Sequence, residues 1–390
     1  MANSDLYQAK KQKNDEFYTQ YSDIQKEVNA YLEYNPNVFR DKTILLPCDD
    51  PEWSNFTKFF AQNFERFGLK KLISTSFAVE SKEIKLNYQP SLFEEENEKF
   101  DISKTRINGK IFVLEKDVNN DKKIDIDDLE WNYLEGDGDF RSNEVKKLRD
   151  EADIIITNPP FSLFREFLAW IREGNKKFLI IGNLNAITYK EVFPLLMKNE
   201  IWLGSSYFSG GAAYFIGSTE LYNPEKMSNP KNAYIKDGKL YWRVNGVRWY
   251  TNLDHGRRHQ KMQLMTEADN IKYSKHKEVK NIGYKHYENY DAIEIPYADS
   301  IPDDYKGVMG VPISFMDKYV PEQFEILGMC ENEDLYKLKT KVYTTEECKN
   351  AYYNKFKKSG TYDLNASGVI IVDGLQEKVY QRILIKHKDR

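Results

Sequence analysis

The stretch Asp153-Ile-Ile-Ile-Thr-Asn-Pro-Pro-Phe161 contains a short apolar run, and two consecutive prolines follow it after Thr157 and Asn158. The β-branched residues 154–156 are typical of a buried strand, and apolar residues between Leu163 and Ile171 then repeat at helical spacing. The stretch therefore predicts a strand, a turn made rigid by proline and a helix.

The same order of elements recurs on the N-terminal side. Residues 43–47 are typical of a short buried strand, and residues 72–73 of a second one. Between them, the phenylalanines from Phe56 to Phe67 form the apolar face of a helix that Gly68 closes. This part of the chain predicts a strand, a helix and a strand.

On the C-terminal side the chain predicts another strand (residues 178–181), a helix (residues 189–197) and a strand (residues 201–203). Near the N-terminus, Ser22 and Gln25 resemble a capping box at the start of a further helix. Strands that alternate with helices of this length favour an α/β fold with a parallel, doubly wound sheet.

Beyond Gly204 the alternation gives way to sequence rich in glycine, asparagine and aromatic residues. We interpret this as a change of domain. The sequence predicts an α/β catalytic domain over residues 1–260 and a smaller α+β domain over residues 261–390. The loop around Ser209-Gly-Gly211 is expected to assist the second domain.

The composition excludes several classes of protein. The 390 residues are 41% hydrophobic and 30% charged, which allows a sizeable core and argues against disorder. No apolar run approaches the roughly 18 residues that span a bilayer, and the first residues lack a signal peptide, so we expect a cytoplasmic protein without a membrane partner. Three cysteines at unrelated spacings predict neither a disulfide framework nor a zinc site.

Charge is unevenly distributed along the chain, although the net charge is only -4. Residues 80–153 contain roughly 21 acidic against 13 basic residues, whereas residues 223–290 contain roughly 14 Lys and Arg against seven acidic residues. Such a basic segment indicates a surface that binds a polyanion, and a solvated lysine-rich surface is the alternative.

The tetrapeptide Asn158-Pro159-Pro160-Phe161 is the sharpest candidate for chemistry, because ligands of open α/β sheets bind beyond the carboxyl ends of strands. The amine of adenine is a poor nucleophile because its lone pair is delocalised into the ring. The Asn158 side-chain oxygen and the Pro159 carbonyl can each accept one N–H of such an amine. Phe161 offers a ring on which an extruded base can stack. The alternative is a Pro-Pro turn with a packed phenylalanine.

Further motifs extend over nearly the whole chain. They are Asp15-Glu-Phe-Tyr-Thr-Gln20, Cys48-Asp-Asp-Pro51 with Ser54-Asn-Phe56, Gly136-Asp-Gly-Asp-Phe-Arg-Ser142, Thr157-Asn-Pro-Pro-Phe-Ser-Leu-Phe164, Ile187-Thr-Tyr-Lys-Glu-Val-Phe193, Trp249-Tyr-Thr-Asn-Leu-Asp254, Gly307-Val-Met-Gly-Val-Pro-Ile313, Pro321-Glu-Gln-Phe-Glu325 and Arg382-Ile-Leu-Ile-Lys386. With these motifs the chain resembles the EcoRI-type adenine-specific DNA methyltransferases.

The resemblance implies S-adenosylmethionine as methyl donor, N6 of adenine as acceptor and double-stranded DNA with a short recognition sequence as substrate. It also implies a Rossmann-like methyltransferase sheet, a C-terminal target-recognition domain and the motif order called gamma. The expected role is in a restriction-modification system, with an endonuclease that acts separately and a methyltransferase that is monomeric on DNA.

The resemblance also suggests the donor-binding residues. Phe17-Tyr18-Thr19 is similar to the motif that lies across the methionine end of the donor, and Asp49-Asp50-Pro51 follows the first strand. Asp137 is expected to accept from the donor's adenine amino group, with Phe140 beside the ring, and Asn158 completes the set. A tight turn is the alternative role for Asp137.

The chain departs from the common methyltransferase pattern in two respects. No Gly-x-Gly follows the first strand, and no acidic residue directly follows the second strand, which ends in Ser74-Thr75-Ser76. Which aspartate holds the donor ribose is therefore open. Cys48 is no candidate for the nucleophile of a cytosine-C5 methyltransferase, because it ends the first strand, where the donor is expected.

An acidic stretch at residues 117–128 resembles a calcium-binding loop in the spacing of its oxygen ligands. Lys122 stands where the turn glycine is expected, and Asp128 replaces the usual glutamate. We therefore favour a solvated acidic insertion and expect no metal.

Basic residues cluster after the strand that ends at Asp254. His255, Arg257, Arg258 and Lys261 are the candidate phosphate contacts, and the arginines could instead read guanine edges. A polar linker between domains is the alternative. We expect the duplex to lie between the basic segment and the catalytic face.

Two other functions fit parts of the sequence. N-methyltransferases of RNA adenine or protein glutamine also use Asn-Pro-Pro-aromatic, but the long C-terminal region argues against them. A sequence-specific DNA-binding protein with an inactive methyltransferase fold would not need the intact motif at residues 158–161.

Overall fold

The computed structural model describes residues 18–49, 54–78, 99–124, 126–206, 208, 212–217, 233–236 and 239–388. The chain divides into two compact units. The first is formed by Met1–Ala186 and Ile201–Gly256, and the second by Ile187–Glu200 and Arg257–Arg390. The chain therefore leaves the first unit at Ala186 and returns to it at Ile201, a detour that the sequence did not predict.

The first unit is a mixed α/β structure. Its described strands are β1 (Tyr18–Thr19), β2 (Thr43–Leu46), β3 (Lys71–Ser76), β4 (Lys110–Leu114), β5 (Glu130–Tyr133), β6 (Ile154–Thr157), β7 (Lys177–Asn183), β8 (Trp202–Leu203), β9 (Ala212–Gly217), β10 (Ala233–Lys236), β11 (Lys239–Asn245) and β12 (Val247–Thr251). Its described α-helices are α1 (Tyr21–Tyr34), α2 (Asn55–Gln62), α3 (Phe64–Phe67), α4 (Ile102–Ile107), α5 (Asn143–Glu151) and α6 (Phe164–Glu173).

Eight of the described strands form one sheet in the order β5-β4-β3-β2-β6-β7-β12-β8. The four central strands β3, β2, β6 and β7 are parallel, as the sequence predicts. The strands β4, β5, β12 and β8 at the two edges are antiparallel, so the prediction of a parallel sheet is correct only for the centre. Strands β2 and β6 are buried along their whole length, which fits strands covered on both faces.

The phenylalanine-rich face predicted between Phe56 and Phe67 forms the centre of the core. These rings belong to α2 and α3, lie almost completely out of solvent and contact one another edge to face, as Phe59 and Phe60 do at 5.3 Å. The single helix predicted here is divided at Asn63 into α2 and α3, and Gly68 ends α3 with φ +65°, which confirms the predicted stop. The predicted capping box is wrong, because α1 begins at Tyr21 and Ser22 lies inside its first turn.

The helix α1 also contains a buried acidic residue, Glu27. Its carboxylate accepts hydrogen bonds from the Tyr31 hydroxyl at 2.8 Å and from the backbone N–H groups of Ser205 at 2.8 Å and Ser206 at 2.6 Å. Burial raises the pKa of Glu27, and the hydrogen bonds from Ser206 and Tyr31 oppose that shift. The carboxylate thus fixes the start of the segment that follows β8.

A second described sheet of the first unit is antiparallel, with the order β1-β9-β11-β10. In it Tyr18 pairs with Ile216 and Thr19 with Phe215. No helix among the described residues of either unit is long and apolar enough to cross a membrane.

The second unit is also mixed α/β. Its described elements are α7 (Phe193–Met197), α8 (Glu267–Tyr273), β13 (Ile293–Glu294), β14 (Met309–Pro312), β15 (Phe324–Met329), α9 (Thr345–Phe356), β16 (Val369–Val372), β17 (Leu375–Lys378) and β18 (Arg382–His387). Four strands form a sheet in the order β13-β14-β18-β15, and β16 pairs with β17 as a hairpin. The helix predicted over residues 189–197 is shortened to α7, whose Phe193 ring contacts Tyr336 at 5.5 Å.

A buried ion pair lies inside the second unit. The Arg382 guanidinium donates to both carboxylate oxygens of Glu294, with Nη2 2.5 Å from Oε1, and both side chains are nearly inaccessible to solvent. The Tyr287 hydroxyl donates to the same carboxylate. The pair joins β13 to β18.

We predict that Glu27→Gln lowers the free energy of unfolding by about 1–3 kcal/mol, because one amide oxygen cannot accept the three hydrogen bonds that the carboxylate accepts. Urea denaturation measures the loss. Glu33→Gln, at an exposed position of the same helix, is the matched control and should change little. Equal stability of Glu27→Gln and wild type would contradict the anchoring role.

Arg382→Met should destabilise the second unit by about 3–5 kcal/mol, because it leaves the Glu294 carboxylate buried and unpaired. The double substitution Arg382→Met with Glu294→Leu should recover most of this loss, since it removes the buried charge as well. Urea denaturation of both variants checks the prediction, and equal losses in the two would refute it.

Candidate active site

The carboxyl ends of the parallel strands β2, β3, β6 and β7 lie along one edge of the main sheet. Because Leu45 is paired with Ile155, the residues that follow β2 and β6 come to the same level of this edge. The predicted donor stretch that begins at Asp49 and the predicted catalytic stretch that begins at Asn158 are therefore neighbours. This confirms the predicted positions at strand ends, while the roles of the residues stay predictions.

Asp49 is buried, with 5% of its surface exposed. Its Oδ1 accepts a hydrogen bond from the Ser54 hydroxyl at 2.7 Å, and its Oδ2 accepts one from the Thr157 hydroxyl at 2.6 Å. Ser54 is the N-cap of α2 and accepts from the Phe56 N–H. One carboxylate therefore connects the end of β2, the start of α2 and the end of β6.

The backbone of Asp49 is also fixed. Its N–H donates to the Thr75 carbonyl at 3.1 Å, and its carbonyl accepts from the hydroxyls of Ser74 and Thr57. These contacts attach the residue to β3 and α2. Ser54, Thr57 and Thr157 were not predicted as site residues. For Thr157, a hydroxyl side chain at the end of a buried strand is a usable signal.

The tetrapeptide Asn158-Pro159-Pro160-Phe161 forms the predicted turn between β6 and a helix. Pro159 is buried, whereas Asn158, Pro160 and Phe161 are half-buried. A short 3₁₀ helix, Phe161–Leu163, precedes α6, and the Leu163 N–H donates to the Pro160 carbonyl at 2.9 Å. Phe161 packs against the core with part of its ring and keeps another part exposed.

The predicted N-terminal donor motif is described only in part. Phe17 lies outside the described residues, as do Asp50 and Pro51, and only the backbone of Tyr18 is described. Thr19 is 2% exposed, and its carbonyl accepts a hydrogen bond from the Asn55 side chain at 2.7 Å. Its hydroxyl has no hydrogen-bond partner among the described residues, which is unusual for a buried polar group.

Asp137 lies beside the carboxyl end of β3, in the turn Gly136-Asp-Gly138. Its carbonyl accepts from the Ala78 N–H at 2.8 Å, and its Oδ1 accepts from the Asp139 N–H at 3.0 Å. Gly138 has φ +85° and lies so close to the Ser76 carbonyl that any Cβ would overlap it. The turn of the alternative interpretation is therefore present, and it holds Asp137 at the edge where a donor would bind.

Phe140 is a core residue in this structure. Its ring contacts Phe167 at 5.0 Å and Trp170 at 5.7 Å, and it is almost completely buried. These contacts leave little ring surface for a ligand. Its expected place beside the donor ring stays a prediction.

Two of the four residues predicted to contact DNA are buried and form hydrogen bonds within the protein. His255 is 2% exposed, and its Nε2 hydrogen-bonds the Leu203 carbonyl at 3.0 Å. Arg258 is 8% exposed, and its guanidinium donates to Asn199 at 2.6 Å. Both side chains therefore have structural partners within the protein, and their expected phosphate contacts stay predictions. Arg257 is half-buried, and Lys261 is exposed.

The acidic stretch at residues 117–128 forms a network of hydrogen bonds with its own backbone. Asp117 accepts from the N–H groups of Asn120 and Lys122, and Asp128 accepts from those of Val118 and Asn119. Asp125 of this stretch lies outside the described residues. Among the residues that the structure covers, no group of three or more His, Cys, Asp or Glu could hold a metal ion.

The residues at this edge fit a methyl donor such as S-adenosylmethionine. The Thr19 hydroxyl is a buried polar group available to a ligand, and the Asp137 turn presents a carboxylate at the end of β3. Hydroxyl and carboxylate groups match the polar parts of a nucleoside that also carries an amino acid.

A family model and three related proteins agree on the family to which the chain is similar. The sequence model described as "Adenine-specific methyltransferase EcoRI" matches residues 5–388. The chain is 42% identical to the type II methyltransferase M.EcoRI of Escherichia coli, over 84% of this chain and 90% of that protein. It is 33% identical to the type II methyltransferase M.MpnI of Mycoplasma pneumoniae, over 86% and 89%, and 33% identical to M.MgeORF184P of Mycoplasma genitalium, over 83% and 86%.

No solved structure was found to match the chain. The family match nevertheless covers almost every residue, and the relatives align over most of their own length. The chain belongs to the EcoRI family of adenine-specific methyltransferases.

Proposed function

We propose that the chain transfers a methyl group from S-adenosylmethionine to N6 of an adenine that is turned out of a short, specific sequence of double-stranded DNA. The observation that carries the proposal is the position of Asn158, directly beyond a central parallel strand and one residue from the Thr157 that binds Asp49. A Rossmann-like sheet in the first unit and target recognition by the second unit are parts of this proposal.

The donor would be held along the strand ends by Thr19, the Asp137 turn and the residues that follow Asp49. When bound, S-adenosylmethionine supplies a methyl group on a positively charged sulfur. The buried surroundings of Thr19 and Asp49 would keep water away from that group. This assignment gives a function to the Thr19 hydroxyl.

The acceptor amine would be activated by hydrogen bonding. The Asn158 side-chain oxygen and the Pro159 carbonyl would each accept one N–H of the adenine amine, which draws the nitrogen towards tetrahedral geometry and frees its lone pair. The prolines hold both acceptors rigidly, so little reorganisation is needed during the reaction. No general base is required, because the methylated nitrogen is strongly acidic and loses its proton readily.

The exposed part of the Phe161 ring would stack on the extruded base. Stacking of a base on an aromatic side chain contributes about 1–3 kcal/mol and tolerates any base. The two acceptors at Asn158 and Pro159 would add a requirement for a base with an exocyclic NH2 group, which thymine lacks.

Phosphate contacts would come from exposed lysines of the second unit. Lys261, Lys277 and Lys280 are exposed and form no ion pair with any residue that the structure describes. Lys275 differs, since its Nζ lies 2.7 Å from the Asp299 carboxylate. The unpaired lysines support an interface with the DNA backbone.

The relatives named type II methyltransferases support a role in restriction and modification. We propose that methylation by this chain protects a sequence that a separate endonuclease cuts, and that one copy acts on each site. Modification-sensitive sequencing of DNA from cells that express the chain would identify that sequence.

Asn158→Ala should lower the methylation rate by roughly 10²–10³, because it removes one preorganised acceptor of the amine. Radiolabelled methyl transfer to duplex DNA measures the rate, and calorimetry should show donor binding close to wild type. Asn143→Ala, an exposed asparagine at the start of α5, is the matched control. Wild-type turnover in Asn158→Ala would refute the assignment.

The double variant Lys277→Ala with Lys280→Ala should weaken duplex binding and flatten the slope of log affinity against log salt by about two, since each phosphate contact contributes roughly 0.9. Fluorescence anisotropy over a salt series measures the slope. The control is the double variant Lys116→Ala with Lys123→Ala. It removes the same charge from exposed positions beside and within the acidic stretch, and it should leave the slope unchanged. A wild-type slope in the Lys277→Ala, Lys280→Ala variant would show that these lysines do not contact DNA phosphates.

A further inference from the structure

The carboxylate of Asp49 faces protein hydroxyl groups on both of its oxygens. A buried charge is costly unless hydrogen bonds satisfy it, and the bonds from Ser54 at 2.7 Å and Thr157 at 2.6 Å are short enough to be strong, charge-assisted ones. Thr157 is completely buried, so its hydroxyl has no competing water. The Asp49–Thr157 bond is therefore a firm connection across 108 residues of chain.

This connection ends directly beside the proposed catalytic side chain. Thr157 is the last residue of β6, its backbone is in register with Ile180 of β7, and Asn158 is the next residue. A shift of the Thr157 backbone would therefore move the Asn158 oxygen, and misplacement of a reacting group by about 1 Å can cost on the order of 10²-fold in rate.

Asp49 is itself attached to β3 rather than to a free loop. Its N–H donates to Thr75, and its carbonyl accepts from Ser74 and Thr57. Through its carboxylate, Asp49 therefore connects the residue before Asn158 to the central strand β3. The contacts lie at the edge of the sheet along which the donor is proposed to bind.

We infer that Asp49 is a positioning residue, which holds the Asn158 oxygen in place through the Thr157 hydroxyl. The inference rests on the proposed function of Asn158. It differs from the expectation that Asp49 binds the donor, because the geometry directs both carboxylate oxygens towards protein hydroxyls.

Isosteric substitution of Thr157 tests this inference. Thr157→Val keeps the shape and removes the hydroxyl, and it should lower the single-turnover methylation rate by roughly 10- to 100-fold with donor affinity unchanged. Thr157→Ser keeps the hydroxyl and should restore most of the rate. Thr251→Val is the matched control, because Thr251 is also a completely buried residue at a strand end, with its hydroxyl bonded to the Phe178 carbonyl.

Asp49→Asn separates positioning from direct contact with the donor. Its amide can accept from one hydroxyl and donate to the other, since hydroxyl groups do both, so the connection survives without the charge. The inference predicts unchanged donor affinity by calorimetry and a smaller loss of rate than in Thr157→Val. A large loss of donor affinity would show that Asp49 binds the donor and would overturn the inference.

The outcomes are distinguishable from failure of the proposed function. If wild-type protein transfers no methyl group to any duplex DNA, the proposed function fails. If wild type is active and Asn158→Ala is inactive, but Thr157→Val methylates at the wild-type rate, only the inference fails. A rate loss in Thr251→Val equal to that in Thr157→Val would also overturn it, because general destabilisation would then explain both.

Discussion

A charge that lies inside a protein must be surrounded by hydrogen-bond donors, and Asp49 meets this requirement only while three segments of the chain stay in place. Ser54 at the start of α2 and Thr157 at the end of β6 supply the donors, and β3 holds the backbone. The remaining parts of the site are arranged along the same edge. Asn55, next to Ser54, binds the β1 backbone, and the glycine turn around Asp137 packs on the end of β3.

The centre of the fold was predictable because its strands and helices are marked by local patterns in the sequence. Continuous apolar runs predict strands buried on both faces, which is what β2 and β6 are, and the stop at Gly68 follows from its left-handed backbone. The antiparallel edges were not predictable in this way. Strand β4 alternates buried and half-buried residues, β5 has a single buried residue, and the burial pattern of neither strand shows the direction in which it pairs with its neighbours.

The position of the site was predictable because the carboxyl ends of parallel strands meet at one edge of a sheet. That rule brings the Asp49 and Asn158 stretches together, but it cannot reveal that Thr157 bonds Asp49, because hydroxyl residues are common and the partners are far apart in sequence. The surroundings of the candidate DNA contacts His255 and Arg258 could not be predicted either. Charge in a sequence reports the sign of a side chain but not its burial, and these two residues pack against Leu203 and Asn199.

The detour of the chain through Ile187–Glu200 limits how the second unit can be exchanged between relatives. The second unit takes two separate stretches of sequence, with Phe193 on Tyr336 and Asn199 on Arg258 as contacts inside it. A hybrid made by joining two relatives after Gly256 would combine these contacts from different parents. Exchange of the whole second unit between two family members would therefore need three crossover points, after residues 186, 200 and 256, rather than one.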